Sequence, residues 1–201
     1  MYTTLRQIAT NNPPSYLVEL LMRRLGISAI TDDEISILFI LDTVGIMSAL
    51  WALRTVEYGE DTSRRIAIAF ARATSHILEV DAELCAIMAK EPQLSEYTSD
   101  AAASAIDEFL QVLLDTRKLN ISSVAARYAL RSYQLAYGYV TIAPIEAAYA
   151  ARLAVFHETF EKYRCRWGYG SGADRETRIK VASFQTSIIE QTEILRKLLP
   201  A

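Results

Sequence analysis

Five side chains in the first half of the sequence are the first candidates for chemistry. Arg65, Arg72 and His76 are spaced seven and four residues apart, which puts them on one side of a helix. Arg54 precedes them, and Asp42 lies one predicted helix earlier. Guanidiniums gathered round a carboxylate can grip a small anion through paired hydrogen bonds, or can tie three helices together as an internal ion-pair set. No nucleophile–base arrangement accompanies them. Neither the Ser75–His76 neighbours nor Cys85 has the third group that hydrolysis requires.

A second candidate lies near the C-terminus. Arg164, Arg166, Arg175 and Arg178 flank the loop Gly168-Tyr169-Gly170-Ser171-Gly172, which leads into a helix N-terminus. Such loops can wrap phosphate, and aromatics interleaved with cations can stack on bases, so nucleic acid is a candidate partner. The loop follows a helix rather than a strand and lacks a P-loop lysine, so a plain helix–helix connection is the competing reading. The acidic pI near 5.5 also argues against a dedicated nucleic-acid binder. His157 and Glu161, four apart, have the spacing of two metal ligands on one helical face. The chain holds only two His and two Cys, with no His-Glu-x-x-His, so the sequence predicts neither a metal site nor a cofactor, and an exposed contact between the pair instead.

The elements that must position these residues are helices. The 201 residues are 51% hydrophobic and 22% charged, with few Gly or Pro, and their apolar positions recur at three- and four-residue steps. The expectation is an all-α bundle of about seven to nine helices ending in a long helical hairpin. It reads as one domain over 1–201, with 1–92 and 99–201 as candidate sub-units. One helix should start at Asn12-Pro13 and stop at Gly26. Thr31-Asp32-Asp33-Glu34 reads as a capping box for a helix to about Val44, broken by Gly45. Helices are then expected over 46–58, 61–90 (ended by Pro92), 99–118, 122–143, 145–166 and 174–199.

Two heptad seams mark the hairpin. Tyr149, Leu153, Phe156, Phe160, Tyr163 and Trp167 share one face, and Val181, Phe184, Ile188, Gln191, Leu195 and Leu198 share another. Leftover seam surface would suit a homodimer, and Gln191 would either set register or be a tolerated amide. Trp51 is expected in the core, with Arg54 paired to Asp42 or Glu57.

Charge is uneven, at −7 over residues 1–120 and +4 over 121–201. The halves can attract each other, or the basic half can meet an acidic partner. The longest apolar stretch, Ile35 to Leu41, contains Ser36 and is far short of a bilayer span, and no signal segment is read at the start. A cytoplasmic protein without a membrane partner is expected.

Leu38-Phe39-Ile40-Leu41-Asp42-Thr43-Val44-Gly45, then Ala49-Leu50-Trp51-Ala52-Leu53-Arg54, then Arg64-Arg65-Ile66-Ala67 and Ala71-Arg72 resemble a family of small phage and prophage helical proteins. The resemblance covers about residues 15–80. It implies a mobile-element origin and an accessory role without assigning a reaction. The leading expectation is therefore a helical protein–protein interaction protein that modulates host defence or host machinery. The rival readings are nucleic-acid binding through the basic hairpin and an anion-binding or enzymatic pocket around Arg54, Arg65 and Arg72.

Overall fold

A computed structural model describes residues 1–56, 59–79, 82–93, 99–116, 123–138, 143–167 and 173–199. The fold is all-α, with eleven helices and one two-stranded ribbon among the described residues. Strand β1 (Tyr2–Thr4) pairs antiparallel with β2 (Glu34–Ser36), Thr3 opposite Ile35. The helices are α1 (Leu5–Thr10), α2 (Ser15–Leu25), α3 (Ile37–Thr43), α4 (Ile46–Leu53), α5 (Gly59–Arg72), α6 (Ser75–Leu78), α7 (Ala82–Met88), α8 (Ser99–Asp115), α9 (Val124–Gly138), α10 (Ala143–Trp167) and α11 (Ala173–Leu198).

The glycine stops are where the sequence puts them. Gly26 closes α2 at φ 68°, and Gly45 precedes α4 at φ 106°, a region that side-chain-bearing residues rarely enter. The expected capping box is not at Thr31. Glu34 is taken into β2, and Ser36 caps α3 by accepting the Phe39 amide. A reciprocal box forms instead at Thr4 and Gln7, where each side chain accepts the other's backbone amide at the start of α1.

The continuous helix expected over 61–90 is broken into α5, α6 and α7, which is one reason the helix count exceeds the expected range. At the first break, the buried Thr74 hydroxyl donates to the Ala71 carbonyl at 2.7 Å and the Thr74 amide donates to the same oxygen at 2.9 Å. That carbonyl is the one that would accept from residue 75 in a continuous helix, so the ladder ends there. Arg72 and His76 consequently sit on different helices.

Two apolar clusters fill the interior. One gathers α1 to α4 with Ile66 and Phe70, and takes in Ala148 of α10, Leu195 of α11 and Leu199 just beyond it. The other joins α5 to α10 through Ile77, Phe109, Leu113, Leu130 and Tyr133. Helices α5 and α10 contribute to both and form the wall between them. Alanine makes α10 thin enough for that place: Ala143, Ala147, Ala148, Ala150, Ala151 and Ala154 are all buried. Small side chains on several faces let α5, α9 and α11 approach its backbone closely, and Ser132 of α9 donates directly to the Ala147 carbonyl at 2.9 Å.

The heptad seams are only partly used. Tyr149, Tyr163, Val181 and Ile188 are exposed, whereas Ser183, Ser187, Gln191 and Leu195, spaced every four residues, form the buried stripe of α11. Trp51 packs on the N-terminal cluster without being fully buried. Phe70, with no exposure, is the deeper aromatic of that cluster. Phe70→Ala should cost about 3–5 kcal/mol and Trp51→Ala about 2 kcal/mol. Urea denaturation that found the reverse order would contradict this description of the core.

Candidate functional site

Four of the five first-half residues are answered by different neighbours. Asp42 of α3 pairs with Arg196 of α11 at 2.7 Å, and Arg196 also binds Glu193 at 2.7 Å. Those two carboxylates raise the Arg196 pKa further above its ordinary value, hydrogen bonding to Asp42 being the larger cause. Arg54 lies over the Trp51 ring, 4.2 Å from its centroid, rather than beside Asp42. Glu57 lies outside the described residues. Arg65 is exposed on α5. His76 lies 3.5 Å from Glu158, which also receives Lys162 at 2.6 Å.

Arg72 enters a network that the sequence reading missed. Its Nε and Nη2 reach Glu91 Oε1 at 3.0 and 2.9 Å, and the Tyr137 hydroxyl donates to the same oxygen. Burial, and then Glu91, push the pKa of both Tyr133 and Tyr137 above the normal phenol value. These groups fasten the segment after α7 to α5 and α9. Of the basic C-terminal set, Arg178 is exposed on α11. The side chains of Arg164, Arg166 and Arg175, and the glycine loop 168–172, lie outside the described residues.

The least expected charge is Arg152, only 6% exposed in the middle of the alanine run of α10. Its Nε donates to Gln191 Oε1 at 2.8 Å, and Gln191 Nε2 donates to the Ala148 carbonyl at 2.9 Å. Gln191 thus joins a side chain and the main chain of α10. Burial holds the Arg152 pKa below its usual value. Its Nη2 has no hydrogen-bond partner, and neither have the buried hydroxyls of Ser183 and Ser187.

Among the described residues, two grooves flank α10. The larger, about 580 Å³, lies where α4, α9 and α10 meet. Met47, Leu135, Ile145 and Leu153 give it apolar walls, while Arg131 and the 53%-exposed Tyr149 stand at its edge. The smaller, about 370 Å³, runs between α10 and α11 past Val155, Thr159, Ile179 and Ser183, with Arg178 among its lining. Tyr128, also in the larger groove, stacks parallel to the His157 ring, their centroids 5.1 Å apart. Glu161, the other half of the His157 spacing pair, accepts the Val124 amide at 3.3 Å and fastens α10 to the first turn of α9. Among the described residues, no three His, Cys, Asp or Glu side chains gather as metal ligands would.

Burial lowers the His157 pKa below 6.5, with Lys180 acting the same way and Glu161 and Glu176 opposing. A depressed histidine favours the fold while neutral. Its contribution is complete above the unfolded value of about 6.5 and is lost as the pH falls through the lower folded value. The His157 ring protons should therefore titrate by NMR with a midpoint below about 6.5, and a midpoint above that value would contradict the packing described. Comparison of the chain with protein-family models, curated proteins and solved structures finds no match.

Proposed function

We propose that the chain is a helical interaction protein that binds a partner protein through the groove between α4, α9 and α10. The observation that carries this reading is Tyr149. It occupies a heptad position on a central helix, yet stands 53% exposed at the edge of an apolar groove. Tyrosine and arginine around apolar walls are the residue types that dominate binding energy at protein interfaces. The groove lies between helices, and its natural occupant is an amphipathic helix that lays apolar anchors against Leu135, Ile145 and Leu153.

Charge defines that helix further. Arg127 and Arg131 are exposed one turn apart on α9, and residues 121–201 carry +4 overall. An acidic edge on the partner would complement them and speed encounter at low salt. The resemblance of residues 15–80 to small phage and prophage proteins supports a host protein as the partner. The site of action is then the host cytoplasm, and the outcome is modulation of host defence or host machinery. No helix among the described residues is long and apolar enough to cross a membrane.

The test is affinity capture from host cells with the wild type, Tyr149→Ala and Arg131→Glu in parallel. Both residues are exposed or edge groups, so each variant should keep the wild-type melting temperature to within a few degrees. The expected outcome is a protein retained by the wild type and lost, at least tenfold, with both variants. Retention unchanged by either variant, or no specifically retained protein, contradicts the proposal. Light scattering that showed a wild-type dimer dissociated by Tyr149→Ala would assign the groove to a second copy and also overturn it.

A further inference from the structure

The unpartnered groups of the α10–α11 seam are arranged in order along one line. The two helices run antiparallel, since Gln191 meets Ala148 and Arg152 while Ser183 lines a groove with Val155 and Thr159. From the hairpin tip inward, α11 presents Ile179, Ser183, Ser187 and Gln191 on one face, each a turn apart. The facing helix presents Thr159, Val155, Arg152 and Ala148. The outer part of this line is open and forms the smaller groove. Three polar groups on the line are unsatisfied: Oγ of Ser183, which lines the groove, Oγ of Ser187 one turn further in, and Nη2 of Arg152 on the facing helix. All three residues are more than nine-tenths buried, and Ser183 lines the groove.

An arginine in this setting is costly to the fold. A buried guanidinium loses its hydration, and a neutral amide such as Gln191 answers one of its donors without compensating its charge. No carboxylate is bonded to Arg152 among the described residues. A negative group seated against Ser183 would have a second hydroxyl and a buried cation next along the seam, all three with desolvation the fold has already borne. The walls leading there are apolar on Val155, Ile179 and Ala182.

We infer that the α10–α11 groove binds a small amphipathic monocarboxylate, head inward. The carboxylate accepts hydrogen bonds from Ser183, Ser187 and Arg152, and the hydrocarbon body lies along Val155, Ile179 and Ala182 towards the hairpin tip. Arg178 lines the same groove and favours entry of an anion. This site is separate from the groove assigned above to a protein partner.

Octanoate, octanol and octylammonium, added separately at millimolar concentration to the full chain, test the inference by thermal shift and calorimetric titration. Octanoate should raise the melting temperature and bind at least tenfold more tightly than octanol, and octylammonium should not bind. Ser183→Ala combined with Ser187→Ala removes two hydroxyls without adding bulk, and should weaken octanoate at least tenfold while the chain stays folded. Arg152→Met should abolish the preference for octanoate over octanol. If that variant does not fold, the serine pair and the three probes decide alone. No octanoate shift, an equal response to octanol, or undiminished binding by the serine variant would each overturn the assignment.

Discussion

A guanidinium buried between two helices, with an amide as its bonded neighbour, is the constraint on which this structure turns. Arg152 and Gln191 cannot be separated without leaving polar groups unanswered in a dry seam, because Gln191 also closes on the Ala148 carbonyl. The bond fixes the register of α11 on α10. Sliding α11 by one turn would draw Leu195 and Leu199 out of the N-terminal cluster and carry Arg196 away from Asp42. One polar clasp between the two longest described helices thus sets how the C-terminal helix meets the N-terminal ones.

The same helix explains where binding surfaces arise. Alanine on several faces of α10 draws its neighbours close, but the larger residues between those alanines cannot all be accommodated. Tyr149 is left at one edge and Tyr163 at another, both exposed, and each lines one of the two grooves. The grooves differ in chemistry because α9 offers Tyr128, Arg131 and Leu135, whereas α11 offers Ser183, Ile179 and Arg178. A helix that serves as the shared wall of both cores also shapes both candidate sites.

Much of the fold was legible in the sequence. Gly26 and Gly45 stop helices because of their backbone freedom, and the helical period is plain in α9 and α11, whereas the alanine-rich α10 is apolar on several faces and shows little of it. The break at Thr74 was hidden, since a hydroxyl turning back on its own helix leaves no mark in an apolar pattern. That break put Arg72 and His76 on different helices, so the side chains read as one candidate set, for an anion or for internal ion pairs, are carried by separate elements. The hairpin seam misled for a different reason. Large apolar residues at heptad spacing suggested burial, but the helices approach in part through the small residues Ala148, Ser183 and Ser187, so Phe156 and Leu195 are buried while Tyr149, Tyr163, Val181 and Ile188 are turned outward. Arg152 drew no notice in the sequence because arginine ordinarily faces water, although its place within a run of alanines was the available signal. Glu91 and Tyr137 are forty-six residues apart, so nothing local joined them.

A double-mutant cycle on Arg152 and Gln191, followed by urea denaturation, tests the central claim most directly. Gln191→Met alone leaves the buried cation unanswered and should destabilise the chain by about 2 kcal/mol or more. Adding Arg152→Met removes that charge, so the double variant should be more stable than Gln191→Met and the two effects should differ from additivity by about 1 kcal/mol or more. Additive single effects, or a double variant less stable than either single one, would show that the seam is not held by this pair.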